Sequence, residues 1–498
     1  MNDPLCKPNR RLLLKASIAA ALAAAMPVRA QSGEAGTTQG KAGAQQSDIS
    51  PVMRTVSDYI VDTVRKPLPD AAAEATRHHL LDTLAAMISG SRLLPGQKAI
   101  AYLKQLGGTP EACVPGTRIV TSVVNAALTG GMFAHADETD DSHAVSLTHP
   151  GCGIVPAALA MAERERAGGA ALLRAVALGY DIGTRMSLAL GSYEFSRAGH
   201  GTHSFGPMFG AAAACATLAR MNAEQVRYVL SYTTQQAGGL SNYARDSEHV
   251  EKAFQFGGLP ARNGAASATM VASGMSGIND AFAGERNFFF AFGPKTNPEE
   301  LTRGLGATYE VVNTNIKRWT VGSPIQAPLD SLYELMKANK FKADDVEKVV
   351  VRISHQGRRT VNDRSMPDIN LQYMIAVMLI DGTASLEAAH DFKRMQDPKV
   401  LELRKRVEAI GDDDLERALP SRQAIVEVTL RDGRVLRHHT KEVRGTSANP
   451  MTREEVGQKA YDLCAPILGK QRAHELVGAV WRIEKVGNVR SLRHLLQA

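Results

Sequence analysis

Aromatic residues and cysteines are both scarce in this chain of 498 residues. Phe, Trp and Tyr together make up 5% of it, and only five cysteines are present. So few aromatic rings argue against a stacking surface for bases or sugars. No C-x-x-C pair occurs, which argues against a zinc or iron–sulfur site held by cysteines. The 43 glycines and the frequent alanines instead favour helices that pack closely.

No apolar run reaches the roughly 20 residues that a membrane-spanning helix needs. The run Ala16–Met26 follows the basic stretch NRRLLLK and precedes VRA, a pattern typical of an export signal with its cleavage site. The pair Arg10 and Arg11 resembles a twin-arginine signal; a general secretory signal or an uncleaved anchor is the alternative. We expect a signal peptide over 1–30, a disordered linker over 31–50, and a periplasmic mature protein that does not bind the membrane.

The excess of positive charge is concentrated in the expected signal. Residues 1–30 carry five basic side chains against one acidic one, so the rest of the chain keeps +3 of the total net charge of +7. No basic run is interleaved with aromatic residues, the pattern that nucleic-acid binding would show. We therefore expect no nucleic-acid partner.

Hydrophobic periodicity divides the mature chain into two kinds of structure. Helical patterns dominate up to about residue 310, and they return in the tail at Thr452–Leu468 and Lys470–Trp481. Between these two helical regions, β-branched residues alternate with polar ones, which predicts strands, and an Asp-Gly pair predicts the turn of a hairpin. These strands and the hairpin are Glu310–Asn313, Val346–Ile353 and Arg422–His439. The sequence predicts a mainly α fold: a large all-helical domain interrupted by a smaller α+β domain.

Residues 135–150, HADETDDSHAVSLTHP, collect titratable groups between two apolar helical patterns. A solvated acidic turn is one interpretation of this stretch. A site for a divalent metal, as in helical isoprenoid synthases, is another, but it calls for a second acidic cluster and an aromatic pocket. The third is acid–base chemistry by histidines supported by carboxylates, because an ordinary histidine pKa near 6.5 suits proton transfer at neutral pH.

Five stretches, in order, resemble motifs of the MmgE/PrpD family, which includes 2-methylcitrate dehydratase and cis-aconitate decarboxylase. They are ETDDSH with THP (138–150), GHGTHSFG (199–206), EKAFQFGG with ARNG (251–264), NIKR (315–318) and NLQYMIA (370–376). Gln255 departs from the family pattern, which often has histidine at that position, and Thr139 replaces a phenylalanine.

The resemblance implies an all-helical domain over 51–310 and 448–498, an α+β lid domain over 311–447, and an active site between them. It also implies a homodimer that needs no metal and no organic cofactor. The catalytic residues it implies are His149, His200, Lys252, Lys317 and Tyr373. We assign substrate binding or orientation to Glu138, Asp140, Asp141, Ser142 and His203.

These residue types suit proton removal next to a carboxylate of a small polycarboxylate. The two lysines would hold carboxylates and stabilise negative charge, while one of His149 and His200 acts as base and the other, or Tyr373, as acid. A hydro-lyase similar to 2-methylcitrate dehydratase is favoured, with a decarboxylase or epimerase as alternatives. An exported carboxylate-binding protein without catalysis is the alternative of another class.

Overall fold

The computed structural model describes residues 49–293 and 295–498. The predicted signal peptide and most of the predicted linker lie outside these residues. Within them, every helix is either too short or too polar to cross a membrane. Cys113, Cys152, Cys215 and Cys464 are buried free thiols.

Helices build the part of the chain on either side of the predicted lid. They are α1 Pro51–Thr63, α2 Asp70–Gly90, α3 Leu94–Leu106, α4 Val123–Ala134, α5 Pro150–Arg164, α6 Gly169–Ala189, α7 Ser192–Arg197, α8 Thr202–Leu218, α9 Ala223–Gln236, α10 Val250–Ala253, α11 Leu259–Ala272, α12 Phe288–Phe292, α19 Arg453–Leu468, α20 Lys470–Val480 and α21 Arg493–Leu496. Two short strands, β1 Ala112–Cys113 and β2 Val120–Thr121, pair antiparallel beside them.

Small residues let these helices pack backbone against backbone, as the composition predicts. A Cβ atom on Gly210 in α8 would lie 2.3 Å from the carbonyl oxygen of Gly179 in α6. That distance is far below van der Waals contact, so only glycine fits there. The side chains of α2, α4, α5, α6, α8 and α11 enclose one large hydrophobic core, which extends to Ile316 and resumes at Met451.

The intervening segment contains helices and a four-stranded mixed sheet. Its elements are α13 Ser323–Asn339, β3 Val346–Ile353, α14 His355–Val361, α15 Leu371–Asp381, α16 Leu386–Ala389, α17 Pro398–Arg404, β4 Val407–Gly411, α18 Asp413–Arg417, β5 Ala424–Leu430 and β6 Val435–Thr440. The strand order is β4-β3-β5-β6; β3 and β4 run parallel, and the other two pairs run antiparallel.

Buried and partly exposed residues alternate along the strands, so that one face of this sheet packs on a second hydrophobic core. Ala424, Val426, Val428 and Leu430 of β5 are buried, while the residues between them are partly exposed. This core runs from Trp319 to Val443 and includes α13 and α15. The mainly α architecture with a smaller α+β part confirms the predicted fold class. The domain boundaries at 310/311 and 447/448 stay a prediction.

The strand prediction for Glu310–Asn313 was wrong, because this segment forms a 3₁₀ turn. The backbone N–H of Glu310 donates to the Asp181 carboxylate at 2.7 Å, and the N–H of Val312 donates to the Tyr309 carbonyl at 3.0 Å. The second bond closes a local turn and the first ties it to α6, which together outweigh the β preference of two valines. The hairpin prediction is confirmed, and Gly433 in its turn has φ of +87°, a conformation that glycine adopts without strain.

Candidate functional site

The acidic stretch forms a buried loop between α4 and α5. His135 ends α4, and His149 directly precedes Pro150 at the start of α5. Asp140 is fully buried and His149 is only 8% exposed. The backbone N–H and hydroxyl of Thr139 both donate to Asp137, which tightens the loop. A solvated acidic turn is therefore excluded.

Asp140 holds two histidines with one carboxylate. Its Oδ2 is 2.8 Å from Nδ1 of His135, and its Oδ1 is 3.1 Å from Nδ1 of His149. Burial alone would raise the pKa of Asp140, but the two histidines hold that pKa well below its usual range. Burial lowers the pKa of His135 despite the nearby carboxylate. With Nδ1 engaged in each ring, Nε2 is the nitrogen available for proton transfer.

Two lysines from distant parts of the chain converge on Glu138. Nζ of Lys252 contacts Oε1, and Nζ of Lys317 lies 3.3 Å from Oε2. Burial favours the neutral carboxyl, but the charges of Lys252 and Lys317 outweigh it and hold the Glu138 pKa well below its usual range. Lys317 also lies 3.7 Å from Asp140. The candidate site therefore places two lysine ammonium groups beside a histidine that a buried carboxylate supports.

A two-residue backbone pairing brings Lys317 to this loop. Ser142 and Asn315 exchange N–H to carbonyl bonds of 2.9 and 2.8 Å, so the segment before the second core runs beside the acidic loop. Nζ of Lys317 then donates to the Glu138 carbonyl at 2.9 Å. The backbone of Ser142, paired with Asn315, therefore holds this residue beside the candidate site.

Lys252 is positioned by an irregular helix. It lies in α10, and residues 254–258 then form a π-helical turn that leads into α11. Such turns are often found at functional sites. Phe256 within the turn stacks on His135, with ring centroids 4.2 Å apart, and on His203 at 3.8 Å. The turn therefore lines the histidine group with an apolar ring.

Of the two histidines in the Gly-rich segment, the structure brings His203 to the site and leaves His200 outside the cluster. The His203 ring centroid lies 5.2 Å from that of His149. His200 is partly exposed and stacks on Phe195 at 4.3 Å. The two histidines are three positions apart in one short motif, so the motif alone left this choice open.

Tyr373 and Asp141, both predicted site residues, face other surroundings. Tyr373 is fully buried in the second core, and its hydroxyl donates to the Ala388 carbonyl at 2.7 Å. Asp141 accepts from the Tyr180 hydroxyl at 2.5 Å, pairs with Nδ1 of His79 at 2.8 Å and accepts the Gly151 N–H at 3.0 Å. Asp141 therefore fixes the start of α5, and through it the position of His149.

Several residues near the site carry no recognisable motif in the sequence. His249 lies 5.2 Å from His135 between ring centroids. Nζ of Lys459, from the C-terminal tail, donates to the Thr139 carbonyl at 2.9 Å and pairs with Asp82 at 2.6 Å. Only the apolar spacing of α19, which points Lys459 inward, hints at its burial.

The second core also reaches the acidic loop. Nε2 of His390 lies 3.3 Å from Oδ2 of Asp137, a charge contact without hydrogen-bond geometry. Burial lowers the pKa of His390, but Asp137 and Asp368 outweigh it and raise the pKa to about 9. Asp368 is buried, and burial together with Glu138 raises its pKa to about 7. Charged residues from the segment around the second core thus contact the acidic loop beside the first core.

Comparison with known proteins matches both parts of the chain to domains of one family. The MmgE/PrpD N-terminal domain matches residues 54–301, and the MmgE/PrpD C-terminal domain matches residues 319–483. The cis-aconitate decarboxylase-like protein oryM of Aspergillus oryzae is 23% identical over 478 residues, covering 89% of this chain and 97% of that protein. A cis-aconitate decarboxylase of Aspergillus terreus is 22% identical over 489 residues, covering 92% and 98% respectively. The chain belongs to the MmgE/PrpD family.

Proposed function

We propose that the protein is a lyase that acts on a small polycarboxylate by proton transfer next to a carboxylate. The observation that carries this proposal is the grouping of His149, held by Asp140, with Lys252 and Lys317 around one buried loop. Binding alone requires cations, whereas a histidine oriented by a buried carboxylate is the arrangement of a general acid or base.

Each residue has a definite task in this proposal. Lys252 and Lys317 bind carboxylate groups of the substrate and stabilise the charge that develops on their oxygens. Asp140 fixes the tautomer of His149, so that Nε2 exchanges protons with the substrate carbon. His203 and Phe256 form the wall beside this ring.

Decarboxylation is the outcome that the relatives' names favour. Breaking the bond to CO2 leaves an electron pair on the substrate carbon, and a protonated His149 would supply the proton that this carbon takes up. The hydro-lyase similar to 2-methylcitrate dehydratase stays the second candidate. It needs the same histidine as base, because removal of a proton precedes or accompanies loss of hydroxide.

Proton NMR in D2O distinguishes these outcomes on the mature protein, with a chelator present. The panel is cis-aconitate, citrate, methylcitrate and related di- and tricarboxylates. We expect loss of CO2 with one deuterium incorporated, or new vinyl signals from dehydration. Exchange of a single C–H without a new product would indicate an epimerase. Tight binding with no exchange on any acid would contradict the proposal and favour a carboxylate-binding protein.

The lysine assignment is tested by Lys252→Gln against Lys470→Gln, an exposed lysine on α20. We expect Lys252→Gln to raise KM for the active acid by at least about tenfold, roughly the 1.4 kcal/mol of one charge-assisted contact. Lys470→Gln is expected to leave KM unchanged. Equal KM values for the two variants would remove Lys252 from substrate binding.

A further inference from the structure

Three buried side chains at the edge of the acidic loop converge on one point. They are His135, His249 and Glu138, which are 0%, 4% and 5% exposed. One ring nitrogen of each histidine and one carboxylate oxygen of Glu138 lie within 4.8 Å of one another. The proposed reaction assigns no role to His135 or His249.

Each of the two histidines has a buried ring nitrogen that no described residue engages. Nε2 of His135 and Nε2 of His249 are buried without a hydrogen-bond partner among the described residues. Asp140 engages Nδ1 of His135 at 2.8 Å, so Nε2 of the neutral ring carries a lone pair. A lone pair is satisfied by a hydrogen-bond donor or by a metal ion, and a substrate carboxylate oxygen offers neither.

We propose that His135, His249 and Glu138 bind a divalent transition metal ion of the Zn²⁺ type, in competition with the ammonium of Lys252. Two imidazoles and one carboxylate form a ligand set that such ions use in proteins, with further positions left for water. Asp140 supplies the carboxylate that supports a metal-binding imidazole from behind. The group of His135, Asp140 and Cys152 is the weaker candidate, because its atoms already hydrogen-bond within the protein.

Competition follows from the charges at Glu138. A dication and the Lys252 ammonium repel each other when both contact the same carboxylate. The side chain of Lys252 is 20% exposed and can turn to solvent, whereas that of Lys317 is 2% exposed and is enclosed. Metal binding therefore releases Lys252. Inhibition of the lyase by the metal would follow, and that consequence alone rests on the proposed function.

The test is titration of tag-free, chelator-treated protein with Zn²⁺ by calorimetry and with Co²⁺ by absorption. We expect one ion per chain in a site of low coordination number. His249→Ala should weaken binding by more than the roughly 10- to 100-fold typical of changes behind a ligand. His474→Ala, which removes an exposed histidine from α20, should leave the affinity unchanged.

Lys252→Gln provides a second, independent result. Removing the competing ammonium should tighten metal binding, which loss of structure would not do. Binding that His249→Ala leaves unchanged would place the ion elsewhere and overturn the proposal, as would failure of Lys252→Gln to tighten it. Since these measurements need no substrate, they stand even if the proposed lyase activity fails.

Discussion

Asp140 is the residue on which the site depends, because it divides one carboxylate between His135 and His149. The sequence predicted a carboxylate that supports a histidine, but it could not say which of three acidic residues would do so. Asp141, one position later, points to His79 and Tyr180 instead. Neighbouring side chains in a loop point in different directions, and no periodicity in the sequence indicates which of the two faces His149.

Lys317 and Lys252 both contact Glu138, but Lys317 is more deeply buried. Replacing each lysine should therefore lower the free energy of unfolding by a different amount. Lys317→Met should lower the free energy of unfolding by up to about 3–5 kcal/mol, since it removes the enclosed cation of buried Glu138 and leaves only the more exposed Lys252 beside it. Lys252→Met should cost less than half as much, because its side chain is more exposed. Urea denaturation measures both values. Equal costs would contradict the burial argument.

The elements were largely predictable from hydrophobic spacing, and the exceptions have local causes. Helices α19 and α20 lie where apolar periodicity predicts them, and β3 and β5 lie where β-branched residues alternate with polar ones. The strand β4 was not predicted, because VEAIG is short and mixed in composition. The π-helical turn at 254–258 has no sequence signal either, yet it positions Phe256 against two histidines.

The π-helical turn packs on α4 through two glycines. A Cβ on Gly257 would lie 2.0 Å from the Gly131 carbonyl oxygen. We expect Gly257→Ala to destabilise the protein by about 1–3 kcal/mol, the usual cost of overpacking. It should also lower activity, since the turn follows Lys252 and packs Phe256 against His149. Gly238→Ala is the matched control, because open space surrounds that glycine. Thermal unfolding would contradict the packing account if both variants were equally stable.

At the scale of the whole molecule, charged groups join the two hydrophobic cores at the acidic loop. The sequence predicted an interrupted helical body, and the resemblance placed the site between its domains. The particular contact of His390 with Asp137 could not be predicted, because α16 and the loop are remote in the chain and belong to no shared motif.

This contact predicts a dependence of stability on pH. The pKa of His390 is raised from 6.5 to about 9, so its stabilising effect is complete below pH 6.5 and is lost as the pH rises through 9. The shift corresponds to at most roughly 3 kcal/mol. His390→Gln should flatten the fall in unfolding free energy between these pH values. His355→Gln, which removes an exposed histidine beside Asp413, should not. An unchanged slope in His390→Gln would refute this assignment.

Export and assembly involve the whole chain. We propose a periplasmic location reached by the twin-arginine route, on the strength of Arg10 and Arg11. Replacing both by lysine should retain the protein in the cytoplasm, as fractionation of cells would detect. Export of the double variant at the normal rate would favour a general secretory signal. The homodimer stays a prediction.

The comparison of His149→Gln with His200→Gln tests the central claim most directly. Both residues were predicted to be catalytic, but only His149 lies on Asp140 and beside His203. With the acid that the NMR panel identifies, His149→Gln should lower kcat by about 10²- to 10⁴-fold, the usual contribution of a general acid or base, and His200→Gln should change it by less than about tenfold. A normal kcat in His149→Gln, or an equal loss in His200→Gln, would contradict the account.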